Sequence, residues 1–187
     1  MLRKLTLALA VLAGPALATG LQIEVAGEGG PKGTIAIDLF ENVAPNHVAQ
    51  VTKLAEQGAY DGVVFHRVID GFMAQTGDVQ FGDATDDGFD MRRAGTGGSD
   101  LGMIGAEFSD RTFERGIVGM ARSQSPDSAN SQFFIMFEPG PFLNGQYTVI
   151  GEVTSGMDVV DGIKRGAGRS GAVSGEPDRM TKVTVTN

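Results

Sequence analysis

The sequence predicts a mainly β protein, a closed barrel of eight strands with two α-helices. Three observations favour this fold. About eight short segments are apolar or alternate between apolar and polar residues, and two others have helical periodicity. The 28 Gly and only 7 Pro residues suit many short strands joined by tight turns. Neither a repeat nor an interior linker divides residues 19–187, so we expect one domain there.

A β-hairpin and a helix come first. Residues 21–25 alternate as a strand, and a Gly-rich turn leads to a second strand over 34–39. Residues 42–56 form the clearest helix, with Pro45 near its start and apolar residues at three- and four-residue intervals. We expect this helix to plug one end of the barrel and His47 to lie on its surface.

The remaining elements follow the same patterns. A second helix is predicted over 157–164, with Val159, Val160 and Ile163 facing inward. Further strands are predicted at residues 63–68, 72–76, 116–121, 131–136, 148–153 and 181–186.

Residues 77–102 are rich in Gly and Asp and predict a loop. The Gly95-Thr96-Gly97-Gly98 run is not followed by Lys-Ser/Thr and joins no strand to a helix, so a phosphate-binding loop is not favoured. The aspartates of the loop lack the spacing of a calcium loop, and we interpret them as solvated: Asp78, Asp83, Asp86, Asp87 and Asp90.

Residues 1–18 have the pattern of a cleaved signal peptide. Arg3 and Lys4 precede an apolar stretch over residues 5–12, and Ala16-Leu17-Ala18 provides a small-x-small cleavage pattern. The stretch is much shorter than the roughly 20 residues that a spanning helix needs. We therefore expect an exported protein that begins near Thr19.

Composition excludes several kinds of site. There is no Cys, so neither a disulfide nor a thiolate nucleophile or metal ligand is possible, and two His make structural zinc improbable. The net charge is −8; without residues 1–18 the chain has 13 basic and 23 acidic residues, a charge of −10. Such a chain repels nucleic acid and anionic membrane surfaces, and the acidity is best interpreted as solubility.

Residues 65–75 (FHRVIDGFMAQ) contain the clearest chemical signal. Strand alternation predicts Phe65, Arg67 and Ile69 on one face and His66 and Val68 on the other. A turn at Asp70-Gly71 leads to a second apolar run that ends at Gln75. One guanidinium, one amide and an apolar surface suit the gripping and polarising of a neutral group better than acid–base or nucleophilic chemistry.

This segment and three later blocks resemble the cyclophilin family of peptidyl-prolyl isomerases, most closely its exported bacterial members. The blocks are 116–123 (GIVGMARS), 130–135 (NSQFFI) and 142–151 (FLNGQYTVIG), and the resemblance covers about residues 33–185. It implies an antiparallel eight-stranded barrel capped by a helix at each end. It also implies a periplasmic enzyme that accelerates X–Pro rotation in unfolded or exported polypeptides and needs no cofactor.

The resemblance also implies a set of site residues. Arg67 is the catalytic donor and Gln75 orients it, while Phe72, Met73, Phe134 and Leu143 form a pocket for proline. His66 is open to two interpretations, a packed structural residue or a substrate contact. The other implied substrate-binding residues are Ala121, Arg122, Ser123, Gln132, Phe142 and Tyr147.

Two departures from the family bear on specificity. Arg122-Ser123 stand where Asn-Ala is frequent, and Phe142 and Tyr147 stand where many eukaryotic members have Trp and His. Loss of the indole N–H donor predicts weak cyclosporin binding.

Two other functions compete with the isomerase. A proline-peptide-binding module or holdase chaperone would use the same groove with little catalysis. An exported hydrolase would need metal ligands or a phosphate cradle, and the sequence offers neither. No interface pattern stands out, so a monomer is expected.

Overall fold

The computed structural model describes residues 19–187, and a strongly curled sheet of eight strands forms its frame. The predicted signal peptide lies outside these residues. Two helices accompany the sheet, α1 (Pro45–Glu56) and α2 (Met157–Asp161), together with short 3-10 turns at Pro126–Ser128 and Pro141–Leu143. The strands are β1 (Gly20–Gly27), β2 (Gly30–Leu39), β3 (Arg67–Ile69), β4 (Met73–Thr76), β5 (Ile117–Met120), β6 (Phe133–Met136), β7 (Val149–Ser155) and β8 (Arg179–Thr186).

The strand ladders form an open sheet. All paired strands are antiparallel, in the order β3-β4-β6-β5-β7-β2-β1-β8, so β3 and β8 are its two edges. Between the two ends of the sheet, Val64 and Arg179 form an isolated bridge. Three backbone hydrogen bonds accompany it, from Gly62 N to Met180 O (2.7 Å), from Met180 N to Val63 O (2.9 Å) and from Phe65 N to Asp178 O (2.8 Å). Eight strands and two helices are therefore confirmed, whereas the predicted closed barrel is not shown.

Side chains fill the inside of the curl. On β1, Leu21, Ile23 and Val25 are buried while Gln22 and Glu24 are exposed, as strand alternation requires. A second, smaller apolar cluster lies apart from this core; its buried members are Phe40, Met73, Phe113, Ile117, Phe134, Met136, Leu143 and Val149.

Helix α1 begins at Pro45, three residues later than predicted, because residues 40–44 form a turn in which Val43 N and Ala44 N both donate to Phe40 O. His47 is fully buried, so the prediction of a surface position is wrong. Its Nδ1 lies 2.6 Å from Glu107 Oε2, and the carboxylate also accepts the backbone N–H groups of Asn46 and His47 at 3.1 Å. Glu107 thus replaces the side-chain cap that Ala44 lacks.

The loop at 77–102 is better organised than predicted. Asp78 is fully buried, so its interpretation as a solvated residue is wrong. Its carboxylate accepts four backbone N–H groups, at distances between 2.7 and 3.1 Å, from Gln80, Phe81, Gly95 and Gly97. The buried charge is satisfied by these donors, which hold the two ends of the loop together.

Within residues 19–187, no helix combines the length and the apolar character that crossing a membrane requires.

Candidate active site

A pocket of about 440 Å³, with an apolar floor and a polar wall, opens on the outer face of the sheet. We call it the proline pocket, after the ligand that the sequence predicts for it. Ten of the predicted site residues line it: Arg67, Phe72, Met73, Gln75, Ala121, Arg122, Phe134, Phe142, Leu143 and Tyr147. Gln146 also lines it and was not predicted. Strands β3, β4 and β6, the residues that follow β5, and the 3-10 turn at Pro141–Leu143 therefore converge on one surface.

A second cavity of the same volume adjoins the pocket. We call it the side cavity, and the two cavities together the groove. It shares Gln75, Ala121 and Arg122 with the proline pocket and adds Ser123 and Gln132. Ser123 and Gln132, which the sequence also predicted, thus lie beside the proline pocket rather than in it.

Aromatic side chains pack against one another in the floor of the pocket. Phe134 is 5% exposed and stacks on Phe113 at 5.8 Å, while the ring of Tyr147 meets it edge-on at 5.9 Å. Phe142 lies at the rim, 67% exposed, with its ring 5.4 Å from that of Phe72. The floor is therefore preformed, whereas the rim presents apolar surface to solvent.

A chain of side-chain hydrogen bonds fixes the polar wall. Arg67 and Gln75 are direct partners across β3 and β4, and Arg67 Nη1 donates to Gln75 Oε1 at 3.1 Å. Gln75 Nε2 donates to Gln132 Oε1 at 2.9 Å. Gln132 Nε2 in turn donates to the carbonyls of Gly95 (3.1 Å) and Gly97 (2.8 Å). Each amide must keep one orientation to satisfy both neighbours.

Arg67 is half-buried, and burial lowers the pKa of its guanidinium from the ordinary value. Among residues 19–187 no carboxylate forms an ion pair with it. Because arginine remains protonated in proteins, the pocket holds a permanent and unneutralised cation.

One contact of Arg67 was missed by sequence reasoning. Its Nε donates to the backbone carbonyl of Ser170 at 3.1 Å. This partner is 103 residues away in the chain and uses no side chain. No residue pattern could have revealed it.

His66 lines neither cavity. It is 6% exposed, and its ring packs so closely on Gly95 that an added Cβ there would lie 2.6 Å from the ring. Burial lowers the pKa of His66 to about 4, with Asp78 partly opposing the shift. The geometry favours the packed interpretation over a substrate contact.

The face predicted for Phe65 is wrong. Phe65 is fully buried in the main core together with Val68, whereas Arg67 faces the groove. Regular strand geometry begins only at Arg67, so alternation cannot be extended back to Phe65.

Arg122 joins two walls of the groove. Its Nε and Nη2 donate to the carbonyl of Gln146 at 3.2 and 2.9 Å, and its Nη1 donates to the carbonyls of Ser123 and Gln124. The guanidinium carbon also lies 4.4 Å from the centre of the Tyr147 ring. These contacts bind the loop after β5 to the segment that carries Tyr147.

No cluster of three or more His, Asp or Glu side chains that could hold a metal ion exists among residues 19–187.

The family model for cyclophilin-type peptidyl-prolyl cis-trans isomerases matches residues 21–185. The chain belongs to this family. A probable peptidyl-prolyl cis-trans isomerase of Brucella suis is 60% identical over 153 residues, which are 82% of this chain and 78% of the relative. Peptidyl-prolyl cis-trans isomerase B of Bacillus subtilis is 40% identical over 133 residues, 71% of this chain and 84% of the relative. The activity is therefore peptidyl-prolyl cis–trans isomerisation.

Solved cyclophilin structures share the fold. A cyclophilin-type isomerase of Cryptosporidium parvum superposes with a TM-score of 0.75, covering 91% of this chain and 99% of its own, at 24% identity. A second structure of that protein, determined in the presence of the dipeptide Ala-Pro, gives a TM-score of 0.73 over 90% of this chain and 99% of its own, also at 24% identity.

Proposed function

We propose that this cyclophilin acts on X–Pro bonds of unfolded or newly exported polypeptides and so assists their folding. The proline ring enters the proline pocket, and Arg67 is the catalytic donor. One observation carries the proposal: a permanent cation, held by two acceptors, faces a pocket with a preformed apolar floor. A cyclophilin crystallised with Ala-Pro supports a proline-containing ligand.

The reaction needs electrostatic help rather than bond-breaking. Amide resonance sets a rotation barrier of about 18–20 kcal/mol. In the twisted transition state the proline nitrogen becomes pyramidal and regains its lone pair, which a fixed donor stabilises more than the planar ground state. Arg67 supplies that donor, and Gln75 orients it through Oε1.

The side cavity extends the binding surface for the polypeptide. Ala121, Arg122, Ser123 and Gln132 line it, and it continues directly from the proline pocket through Gln75. An extended chain with its proline in one cavity would place neighbouring residues in the other.

Phe142 and Tyr147 preserve an apolar rim without an indole N–H. We therefore expect weak cyclosporin inhibition, measurable in a peptide isomerisation assay. Inhibition at nanomolar concentration would contradict this part of the proposal.

Export to the periplasm rests on the pattern of residues 1–18. The acidic remainder of the chain disfavours binding to nucleic acid and to anionic membranes. A monomer is expected because the sequence shows no interface pattern. Comparing the N-terminus of the protein recovered from the periplasm with Thr19 tests the cleavage, and recovery of an uncleaved chain from the cytoplasm would contradict it.

A holdase function is the second candidate, because Met103 and Phe142 present 74% and 67% of their surfaces beside the groove. Two assays separate the functions. The isomerase is measured by the refolding rate of a substrate protein whose refolding is limited by proline isomerisation, and the holdase by the suppression of aggregation. Arg67→Ala should abolish most of the refolding acceleration, whereas Arg92→Ala, on an exposed loop residue, should not. If Arg67→Ala refolds the substrate as fast as wild type, the groove acts by binding alone.

A further inference from the structure

The free edge of β3 is covered by a loop at residues 165–173, which we call the 165–173 loop. Strand β3 has only three residues and pairs with β4 on one side. On its other side, Val68 N donates to Gly171 O at 2.7 Å, and Gly166 N donates to Val68 O at 2.8 Å. Val173 N donates to His66 O at 3.1 Å. The loop therefore docks on β3 as an added edge through three backbone bonds.

Glycine permits this close approach. Gly171 is buried with φ +68°, and an added Cβ would lie 2.3 Å from Ile69 Cγ1 and 3.0 Å from Val68 O. A side chain at Gly171 must therefore push the loop away from β3. Gly175 has a similar φ of +72°, but an added Cβ there would meet only Lys164 Nζ, at 3.4 Å.

The base of the loop is fixed independently. Arg165 Nε donates to Asp70 Oδ1 at 2.9 Å, in the turn between β3 and β4, and its guanidinium carbon lies 4.0 Å from the centre of the Phe137 ring. The loop is thus attached to the same hairpin that carries Arg67.

From these contacts we infer that the 165–173 loop is a positioning element for Arg67, acting through the backbone carbonyl of Ser170. Nε is held by Ser170 O and Nη1 by Gln75 Oε1, both at 3.1 Å. Hydrogen bonds on two different nitrogens fix the plane of the guanidinium, whereas a single hydrogen bond would leave the group free to rotate about it. Nη2 has no hydrogen-bond partner within residues 19–187 and stays available for substrate.

Gly171→Ala in the full chain tests the inference, with Gly175→Ala as the matched control for a substitution at positive φ. In Gly171→Ala the displaced loop would no longer orient the guanidinium of Arg67, which is needed most in the transition state. The kcat of this variant should therefore fall about tenfold while its KM stays within about twofold of wild type. Gly175→Ala should retain wild-type kcat. A kcat for Gly171→Ala within twofold of the control would overturn the inference.

A second measurement does not depend on the folding of the variant. In wild-type protein the Nε–H of Arg67 should exchange with water more slowly, by NMR, than that of the exposed Arg169. Equal exchange rates would overturn the inference even if Gly171→Ala failed to fold. The inference rests on Arg67 as catalytic donor: an Arg67→Ala variant as active as wild type would refute that role, whereas the exchange rate reports the Ser170 contact alone.

Discussion

At the scale of single residues, the groove depends on amides that donate and accept at the same time. Gln75 accepts from Arg67 through Oε1 and donates to Gln132 through Nε2. A carboxylate at position 75 could accept from Arg67 but could not donate to Gln132. Its negative charge would also neutralise the guanidinium that the transition state needs.

Gln75→Glu is therefore expected to lower kcat/KM about tenfold while the protein stays folded. Peptide isomerisation and thermal unfolding measure the two effects. Gln22→Glu makes the same change on an exposed position of β1 and should leave kcat/KM unaltered. Full activity of Gln75→Glu would show that the orientation of this amide has no part in catalysis.

At the scale of the elements, periodicity predicted most of the helices and strands but not the contacts between distant segments. Each predicted strand has a counterpart, because alternation is a local signal. His47 and Asp78 were both predicted to be exposed, and both are buried. The two errors have one cause: a polar side chain can be buried when the fold brings it hydrogen-bond partners, and those partners are distant in the sequence. Glu107 reaches His47 across 60 residues, and Gly95 and Gly97 reach Asp78 from the far end of a loop.

The N-terminus of α1 gives a test of one such contact. Burial alone would raise the pKa of Glu107, but hydrogen bonds from His47 and from the backbone of α1 lower it overall. Glu107→Ala should lower the free energy of unfolding by about 1 kcal/mol at pH 7, the ordinary cost of losing a helix cap. Because the folded pKa is lowered, the wild-type contribution should disappear as the pH falls through that value.

Denaturant unfolding of Glu107→Ala beside Glu114→Ala, an exposed residue without side-chain hydrogen bonds, measures this loss. Equal stability of the two variants at pH 7 would show that Glu107 does not cap α1.

At the scale of the whole molecule, the predicted strands did not reveal how the sheet ends. Closure depends on whether residues 62–65 and β8 form a continuous ladder, and a single isolated bridge between Val64 and Arg179 with a few backbone hydrogen bonds occurs there instead. Ten residues of the proline pocket were predicted, because the 65–75 segment and the three later blocks carry the family pattern, and Gln146 was missed. The hydrogen bonds that Arg122 and Arg67 donate to backbone carbonyls, that of Ser170 among them, were not predictable, because a backbone acceptor leaves no mark in the sequence.

Acid should destabilise the fold through His66. Its pKa is about 4 when folded and about 6.5 in an unfolded chain, so the unfolded state binds more protons between these values. The free energy of unfolding should therefore fall as the pH drops through this range, by on the order of 3 kcal/mol from this residue. Urea unfolding between pH 7 and 4.5 should give a shallower dependence for His66→Asn than for wild type, and identical slopes would refute the assignment.

The most direct test of the account is the isomerisation of a short X–Pro peptide by wild-type protein, Arg67→Ala and Arg67→Lys. We expect Arg67→Ala to lose at least about 100-fold in kcat/KM, the order of a lost transition-state donor. Arg67→Lys should recover only part of it, because an ammonium lacks the fork that Ser170 and Gln75 hold. Thermal unfolding should show all three folded. Wild-type activity in Arg67→Ala would contradict the central claim that this fixed guanidinium drives catalysis.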